Sequence, residues 1–124
     1  MEQLKFIKSM ANADPSPIII CDLNHVIVYM NPAACKRYQN SGGKNLVGNS
    51  VMNCHNAKSE ERINNILTWF QKSKNNNRVY IERNTKENID VYMIALRNDD
   101  EDLIGYYEKM EYRNLETIPL FDMN

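Results

Sequence analysis

The sequence predicts an α+β domain in which a five-stranded antiparallel sheet carries its helices on one face, preceded by an N-terminal amphipathic helix. Two observations predict this class: a pair of β-branched runs early in the chain, and three strand-like runs near its end. The stretch between them has helical character. Strand groups joined by short turns and separated by helices are typical of folds in which helices cover one side of an antiparallel sheet.

Composition limits the chain to a single domain of ordinary globular character. Its 124 residues, with a hydrophobic fraction of 43% and a charged fraction of 25%, suffice for one core. The net charge of -1, with acids and bases interspersed, offers no basic stripe, so we expect no nucleic-acid partner. No apolar run predicts a membrane span or a secretory signal, and three dispersed cysteines cannot all pair within one chain. We therefore expect a cytoplasmic protein.

The first elements are a helix and a hairpin. Residues 2–11 place apolar side chains at helical spacing, and the Asp14-Pro15-Ser16-Pro17 segment ends that helix. The β-branched runs 18–21 and 26–30 flank a turn at residues 22–25, which predicts two paired strands.

The middle of the chain is predicted to be helical. Asn31 and Pro32 suit the start of a short helix, which Ser41-Gly42-Gly43 ends. Residues 44–58 have no clean period, so we expect short helical turns and loop there. Ser59 is predicted to cap the longest helix, whose buried stripe has the i, i+3, i+4, i+7 spacing: Ile63, Ile66, Leu67 and Phe70.

Three strands are predicted after this helix. Residues 78–83 alternate in polarity, and so does the run 89–96, in which Ile89, Val91, Met93 and Ala95 share one face. A turn at residues 98–101 leads into the last strand, residues 103–112.

Several motifs, in this order, resemble the PAS family of sensory domains: Asp22, Ile27, Asn31-Pro32-Ala33-Ala34, Gly48 and Gly105-Tyr106-Tyr107-Glu108. The resemblance implies a sheet and connecting helices that enclose a cavity, which in different members holds haem, flavin, a small acid, a lipid or nothing. It divides the chain into a flanking helix (1–13), a PAS domain (14–113) and a tail or linker (114–124).

The segment Cys54-His55-Asn56-Ala57-Lys58-Ser59 resembles a subgroup of bacterial PAS modules that carry Cys-His-x-x-Lys-Ser, some of them beside hemerythrin-like domains. Haem is the leading cofactor candidate, with His55 as ligand of the haem iron, because iron binds a neutral imidazole near an apolar slot. Cys54 offers a thiolate as an alternative donor. The competing interpretation makes His55 a helix-entry residue bonded to nearby backbone.

Other chemistry is less well supported by the sequence. Asn53-Cys54 resembles part of the light-sensing flavin motif, but Cys54 falls six residues after Gly48 where that motif needs three, so flavin is not expected. Zinc usually needs four thiol or imidazole ligands at short spacings, and Cys21 and Cys35 are predicted to be core residues instead. No carboxylate pair or glycine-rich phosphate loop stands out, and we expect no enzyme.

A predicted cofactor-binding set follows from these patterns. It comprises His55, Cys54, Met52, Ile63, Leu67, Phe70, Met93 and Tyr107, with Ile20, Val28, Met30 and Ala95 as further cavity-lining candidates. The same apolar stripes would serve equally well as a core without a ligand.

The sequence thus predicts a bacterial sensory or signalling domain that binds a small ligand, with haem as the leading candidate, and relays occupancy through its termini. The apolar face of the first helix, with Leu4, Ile7 and Met10, is predicted to pack against a second copy as a homodimer. The alternative is a PAS dimerisation or protein-interaction module that binds no ligand.

Overall fold

A computed structural model of the chain describes residues 2–54 and 56–122. It contains three α-helices and five β-strands: α1 (Glu2–Ala13), β1 (Ile18–Asp22), β2 (Ile27–Met30), α2 (Pro32–Arg37), α3 (Ala57–Lys72), β3 (Arg78–Asn84), β4 (Ile89–Arg97) and β5 (Leu103–Tyr112). Three 3-10 segments connect α2 to α3: Gln39–Ser41, Gly43–Leu46 and Val51–Cys54. The predicted α+β class and the N-terminal helix are confirmed.

The five strands form one antiparallel sheet in the order β2-β1-β5-β4-β3. The first hairpin and the final meander meet where β1 pairs with β5. At this junction a side chain on Gly105 would place its Cβ 2.3 Å from the carbonyl oxygen of Cys21, so the two strands approach closely only because position 105 is glycine.

The core lies between one face of the sheet and helices α2 and α3. Phe70 is fully buried at its centre, among the buried side chains Cys21, Ile27, Met30, Ala34, Ile63, Ile66, Leu67, Met93 and Tyr106. A smaller cluster of Ile89, Val91 and Met110 continues it along the sheet. The buried stripe predicted for α3 and the inward face predicted for β4 are both present.

The start of α3 differs from the prediction. The N-cap is Asn56, not Ser59: the Asn56 side chain accepts a hydrogen bond from the Ser59 backbone N–H at 2.9 Å, and the helix begins at Ala57. Asparagine caps as well as serine does, so both positions suited a helix start and local sequence did not separate them.

In the described part of the chain, no helix combines the length and the apolarity that crossing a bilayer requires.

Candidate functional site

A pocket of about 250 Å³ lies between the inner face of β1, β2 and β5 and the 3-10 segments that follow α2. Its wall is mostly apolar, with three polar side chains, and comprises Ile19, Ile27, Met30, Tyr38, Ser41, Leu46, Val51 and Glu108. A concave apolar site with a few convergent polar groups is the usual form of a small-molecule site.

Glu108 is the ionisable carboxyl group in this wall. It lies on β5, directly between Ile19 of β1 and Met93 of β4, and these neighbours set its side chain on the core face of the sheet. Among the described residues its carboxyl group has neither a hydrogen-bond nor an ion-pair partner. The side chain is deep within the fold and retains partial accessibility, because it borders the pocket.

The surroundings of Glu108 disfavour its charge. Burial, and then the negative charge of Glu82 on β3, raise the pKa of the Glu108 carboxyl group above its ordinary value, and the cations Arg37 and Arg62 oppose this shift more weakly. An unpaired carboxyl group with a perturbed pKa in an apolar pocket is typical of a functional site.

Two hydroxyl groups complete the polar part of the wall. Tyr38 follows α2, where its backbone N–H bonds to the Ala34 carbonyl at 3.1 Å, and Ser41 is held by a 2.9 Å bond from its N–H to the Tyr38 carbonyl. Burial raises the pKa of the Tyr38 hydroxyl, so this group stays neutral at physiological pH and can both donate and accept.

Asn31 is a fully buried polar residue (0% exposed) that joins three elements close to the pocket. Its Oδ1 accepts hydrogen bonds from the N–H groups of Ile18 in β1 and Ala34 in α2, both at 2.9 Å. Its Nδ2 donates to the carbonyls of Ala11 in α1 at 3.0 Å and Ser16 at 2.9 Å. The sequence predicted the cap on α2 but not the bonds to α1 and β1.

A second link to α1 starts beside Glu108. The Lys109 ammonium donates to the Asp14 carboxylate at 3.0 Å, just beyond the end of α1. Partial burial would raise the pKa of Asp14, but the hydrogen bond from the Ser16 backbone and the Lys109 ammonium together lower it. Strand β5 therefore contacts the pocket through one residue and the end of α1 through the next.

His25 does not offer a free ring nitrogen. It lies in the β1–β2 turn with a φ of 65°. Its Nδ1 is 2.8 Å from the Tyr106 hydroxyl and its Nε2 is 3.1 Å from Oδ1 of Asn64. The ring thus connects the turn to β5 and α3, which is a structural role.

The predicted cofactor-binding residues do not come together at one site among the described residues. All of His55 and the side chain of Cys54 lie outside the described residues, so the haem-ligand prediction stays a prediction. Met52 packs against the core, whereas four others are buried within it and do not line the pocket: Ile63, Leu67, Phe70 and Met93. Of the further candidates, Met30 does line the pocket.

Tyr107 lies on the sheet face opposite Glu108 and Tyr106. It pairs directly with Ile20, one residue away from the inward-facing Ile19, so neither Tyr107 nor Ile20 borders the pocket. Val28 is 52% exposed. The sequence therefore predicted the wrong inward-facing residues for β1 and β5 (Ile20 and Tyr107), whereas Met30 on β2 and Met93 and Ala95 on β4 do face the core.

Metal-binding groups are sparse in the described ranges 2–54 and 56–122. They contain no cluster of three or more histidine, cysteine, aspartate or glutamate side chains that could hold an ion. Cys21 is buried in the core and Cys35 packs against it. Burial raises the pKa of the Cys21 thiol to about 11, so this thiol stays protonated.

This sheet order, with a helical connection over one face and a pocket beneath it, defines a PAS-type fold. A family model described as a PAS domain matches residues 15–109, more than half of the chain, and the chain belongs to the PAS-domain family. It is therefore a sensory domain of a class that is regulatory and generally not enzymatic.

Solved PAS structures share this fold at low sequence identity. The PAS domain of a Colwellia psychrerythraea protein is 14% identical, with 89% of this chain and 96% of that chain covered and a TM-score of 0.66. The BvgS PAS domain of Bordetella pertussis is 14% identical, with 93% and 89% covered and a TM-score of 0.67. The Vibrio cholerae Aer2 receptor, described as a dual PAS-haem oxygen sensor, is 15% identical, with 77% and 91% covered and a TM-score of 0.52. A search of curated proteins found no match.

Proposed function

We propose that this PAS domain binds a small molecule in the pocket around Glu108 and transmits its occupancy to α1. The proposal rests on the Glu108 carboxyl group, which has no hydrogen-bond or ion-pair partner among the described residues and borders a mostly apolar pocket of about 250 Å³. Burial of an unpaired carboxyl group lowers the stability of the folded state, and a ligand that pairs with this group would offset part of that free-energy cost.

Two contacts support transmission to α1. Lys109, the neighbour of Glu108 in β5, bonds to Asp14, and Asn31 bonds to the Ala11 carbonyl at the end of the helix. A ligand shifts the equilibrium between two conformations of a domain only if it binds them with different affinities. We infer that a ligand which draws β1 and β5 toward the pocket changes the position of α1.

Haem is a more demanding occupant than a small organic molecule. The pocket volume of about 250 Å³ falls below the roughly 300–1,000 Å³ that is usual for drug-sized ligands. Of the two histidines, His25 already uses both ring nitrogens. The proposal for haem therefore depends on His55 as ligand, with support from the fold shared with the Aer2 receptor, described as a haem sensor. The pocket itself favours a smaller ligand.

One pair of variants tests pocket binding. Val51 lines the pocket, and Val47, close to it in the chain, is 42% exposed. Small-molecule binding should be screened by thermal shift and native mass spectrometry on the wild type, on Val51→Phe, which fills the pocket, and on the matched control Val47→Phe. The proposal requires a ligand that binds the wild type and Val47→Phe but not Val51→Phe. Ligands that bind all three equally, or a screen without any ligand, would contradict it.

Absorbance titration with haem tests the cofactor separately. A sharp Soret band that saturates at one haem per chain and is lost in His55→Ala would establish haem as the ligand. A broad band that does not saturate would exclude haem and leave the smaller ligand.

The second candidate function is dimerisation through α1. Four large apolar side chains of this helix, Leu4, Phe6, Ile7 and Met10, are each at least 57% exposed, and α1 has no buried residue. We propose that this face packs against a second copy of the chain. Sedimentation should show a wild-type dimer that Ile7→Glu dissociates and Lys8→Glu does not. A monomeric wild type would rule the interface out.

A further inference from the structure

The polar side chains of the pocket wall are acidic or neutral. Its polar side chains are the Glu108 carboxyl group and the hydroxyls of Tyr38 and Ser41, all of which can accept hydrogen bonds. None of the described residues in the pocket wall carries a basic side chain. The wall therefore offers acceptors, and a negative charge whenever Glu108 is ionised.

Arg37 and Arg62 are the cations that act on Glu108. Arg37 donates two hydrogen bonds to the carboxylate of Glu87, at 2.8 and 3.3 Å, and its guanidinium also interacts with the Tyr38 hydroxyl at the pocket wall. Arg62 donates to the Ile81 carbonyl at 3.4 Å, and neither arginine belongs to the pocket wall. Glu82 adds a second negative charge that acts on Glu108. When Glu108 is ionised, an anionic ligand would be repelled by its carboxylate, whereas a cation would pair with it.

We propose that the ligand of this pocket is a small, largely apolar amine in its protonated form, whose ammonium group pairs with the Glu108 carboxylate. This inference rests on the proposed function and specifies the chemical class of its ligand. An ammonium group has three N–H donors, and Glu108, Tyr38 and Ser41 provide matching acceptors. The hydrocarbon part contacts the apolar wall, which includes Ile27, Leu46 and Val51.

Three probes of nearly equal size and different charge test this ligand class. Benzylamine is cationic at pH 7.5, benzyl alcohol is neutral and benzoate is anionic, and one aromatic ring suits a pocket of about 250 Å³. Affinities are measured by calorimetry and by NMR shifts of pocket residues. We expect the wild type to bind benzylamine about tenfold or more tightly than either other probe, the scale of a charge-assisted hydrogen bond.

Variants on β5 assign the effect to one carboxyl group. Glu108→Gln should weaken benzylamine about tenfold or more and change benzyl alcohol by less than about threefold, because only the cation loses its counter-ion. The control Glu111→Gln removes a charge from the same strand, at a position paired with Arg78 and Arg113 outside the pocket, and should leave both affinities unchanged. Tyr38→Phe, which removes one acceptor, should weaken benzylamine several-fold and gives an independent readout.

The outcomes separate the ligand class from the proposed function. Equal or tighter binding of benzoate or benzyl alcohol, or an unchanged benzylamine affinity in Glu108→Gln, would overturn the amine class. If that binding is still lost in Val51→Phe, the pocket function stands. Absence of benzylamine binding also overturns the amine class, and the proposed function fails with it only if the wider screen finds no pocket ligand.

Discussion

Asn31→Ala removes the side chain that joins α1, β1 and α2. In the folded state this side chain makes two hydrogen bonds as acceptor, to Ile18 and Ala34, and two short ones as donor, to Ala11 and Ser16. Alanine replaces none of them, and because the site is fully buried, water does not easily take their place. The variant therefore tests whether one residue couples the N-terminal helix to the rest of the domain.

The expected destabilisation follows from these bonds. Loss of an asparagine cap costs about 0.5–2 kcal/mol, and each of the other buried hydrogen bonds contributes about 0.5–1.5 kcal/mol. Together, the cap and the three other bonds give an expected loss of about 2–6 kcal/mol in the free energy of unfolding of Asn31→Ala. That is a large part of the ~5–15 kcal/mol typical of a domain. It corresponds to a fall of roughly 6–30 °C in Tm.

Urea unfolding followed by circular dichroism measures this loss, with Asn40→Ala as control. Asn40 is exposed, so its replacement should change stability by less than ~0.5 kcal/mol. Asn31→Asp isolates the two donor bonds, since aspartate can still accept from Ile18 and Ala34 but cannot donate to the Ala11 and Ser16 carbonyls. Wild-type stability in Asn31→Asp would show that these donor bonds contribute nothing and would refute the coupling of α1.

Three further changes have definite expected results. Gly105→Ala should destabilise the fold by about 1–3 kcal/mol or more, because its new Cβ would overlap the Cys21 carbonyl, which has little freedom to move; unchanged urea unfolding would contradict this close approach. Glu108→Gln should be more stable than the wild type at pH 8, and the difference should shrink toward pH 4. The pKa of Glu108 is raised in the folded state, so as pH rises this carboxyl group ionises first in the unfolded state. The wild type therefore loses stability between the unfolded-state and the folded-state pKa of Glu108. Urea unfolding of the wild type and Glu108→Gln from pH 3 to pH 8 measures this difference, and a difference that does not grow with pH would contradict the prediction. Lys109→Met should lower the free energy of unfolding by about 1 kcal/mol at pH 7. Because the folded-state pKa of Asp14 is lowered, the stabilisation from the Asp14–Lys109 pair should disappear as pH falls through that folded-state pKa. A cost of the substitution that persists at low pH would indicate lost packing instead.

Periodicity accounts for the elements that the sequence predicted correctly. The stripe from Ile63 to Phe70 and the alternation from Ile89 to Met93 are local patterns, and a helix or strand must bury its apolar side against something. Asn31 before Pro32 is likewise a local signal, and it caps α2 as expected.

The inner face of β5 could not be chosen from its pattern alone. Around Tyr106, Tyr107 and Glu108, neighbouring residues are similar in polarity or contradict simple alternation, so either face could be assigned to the core. The pairing with β1 resolves it, since Cys21 lies opposite Tyr106 and Ile19 opposite Glu108. A glutamate on a core face is a sequence signal that would have indicated the pocket, had the register been known.

The sequence by itself determined the class, the number of strands, the helical connection and the buried side of α3, because each depends on residues a few positions apart. It did not determine that β1 lies beside β5, that Asn31 reaches the Ala11 carbonyl, or that Glu108 meets Tyr38 and Ser41 around one pocket. Those contacts join residues distant in the chain, and their geometry follows from strand register and core packing, which no local pattern records.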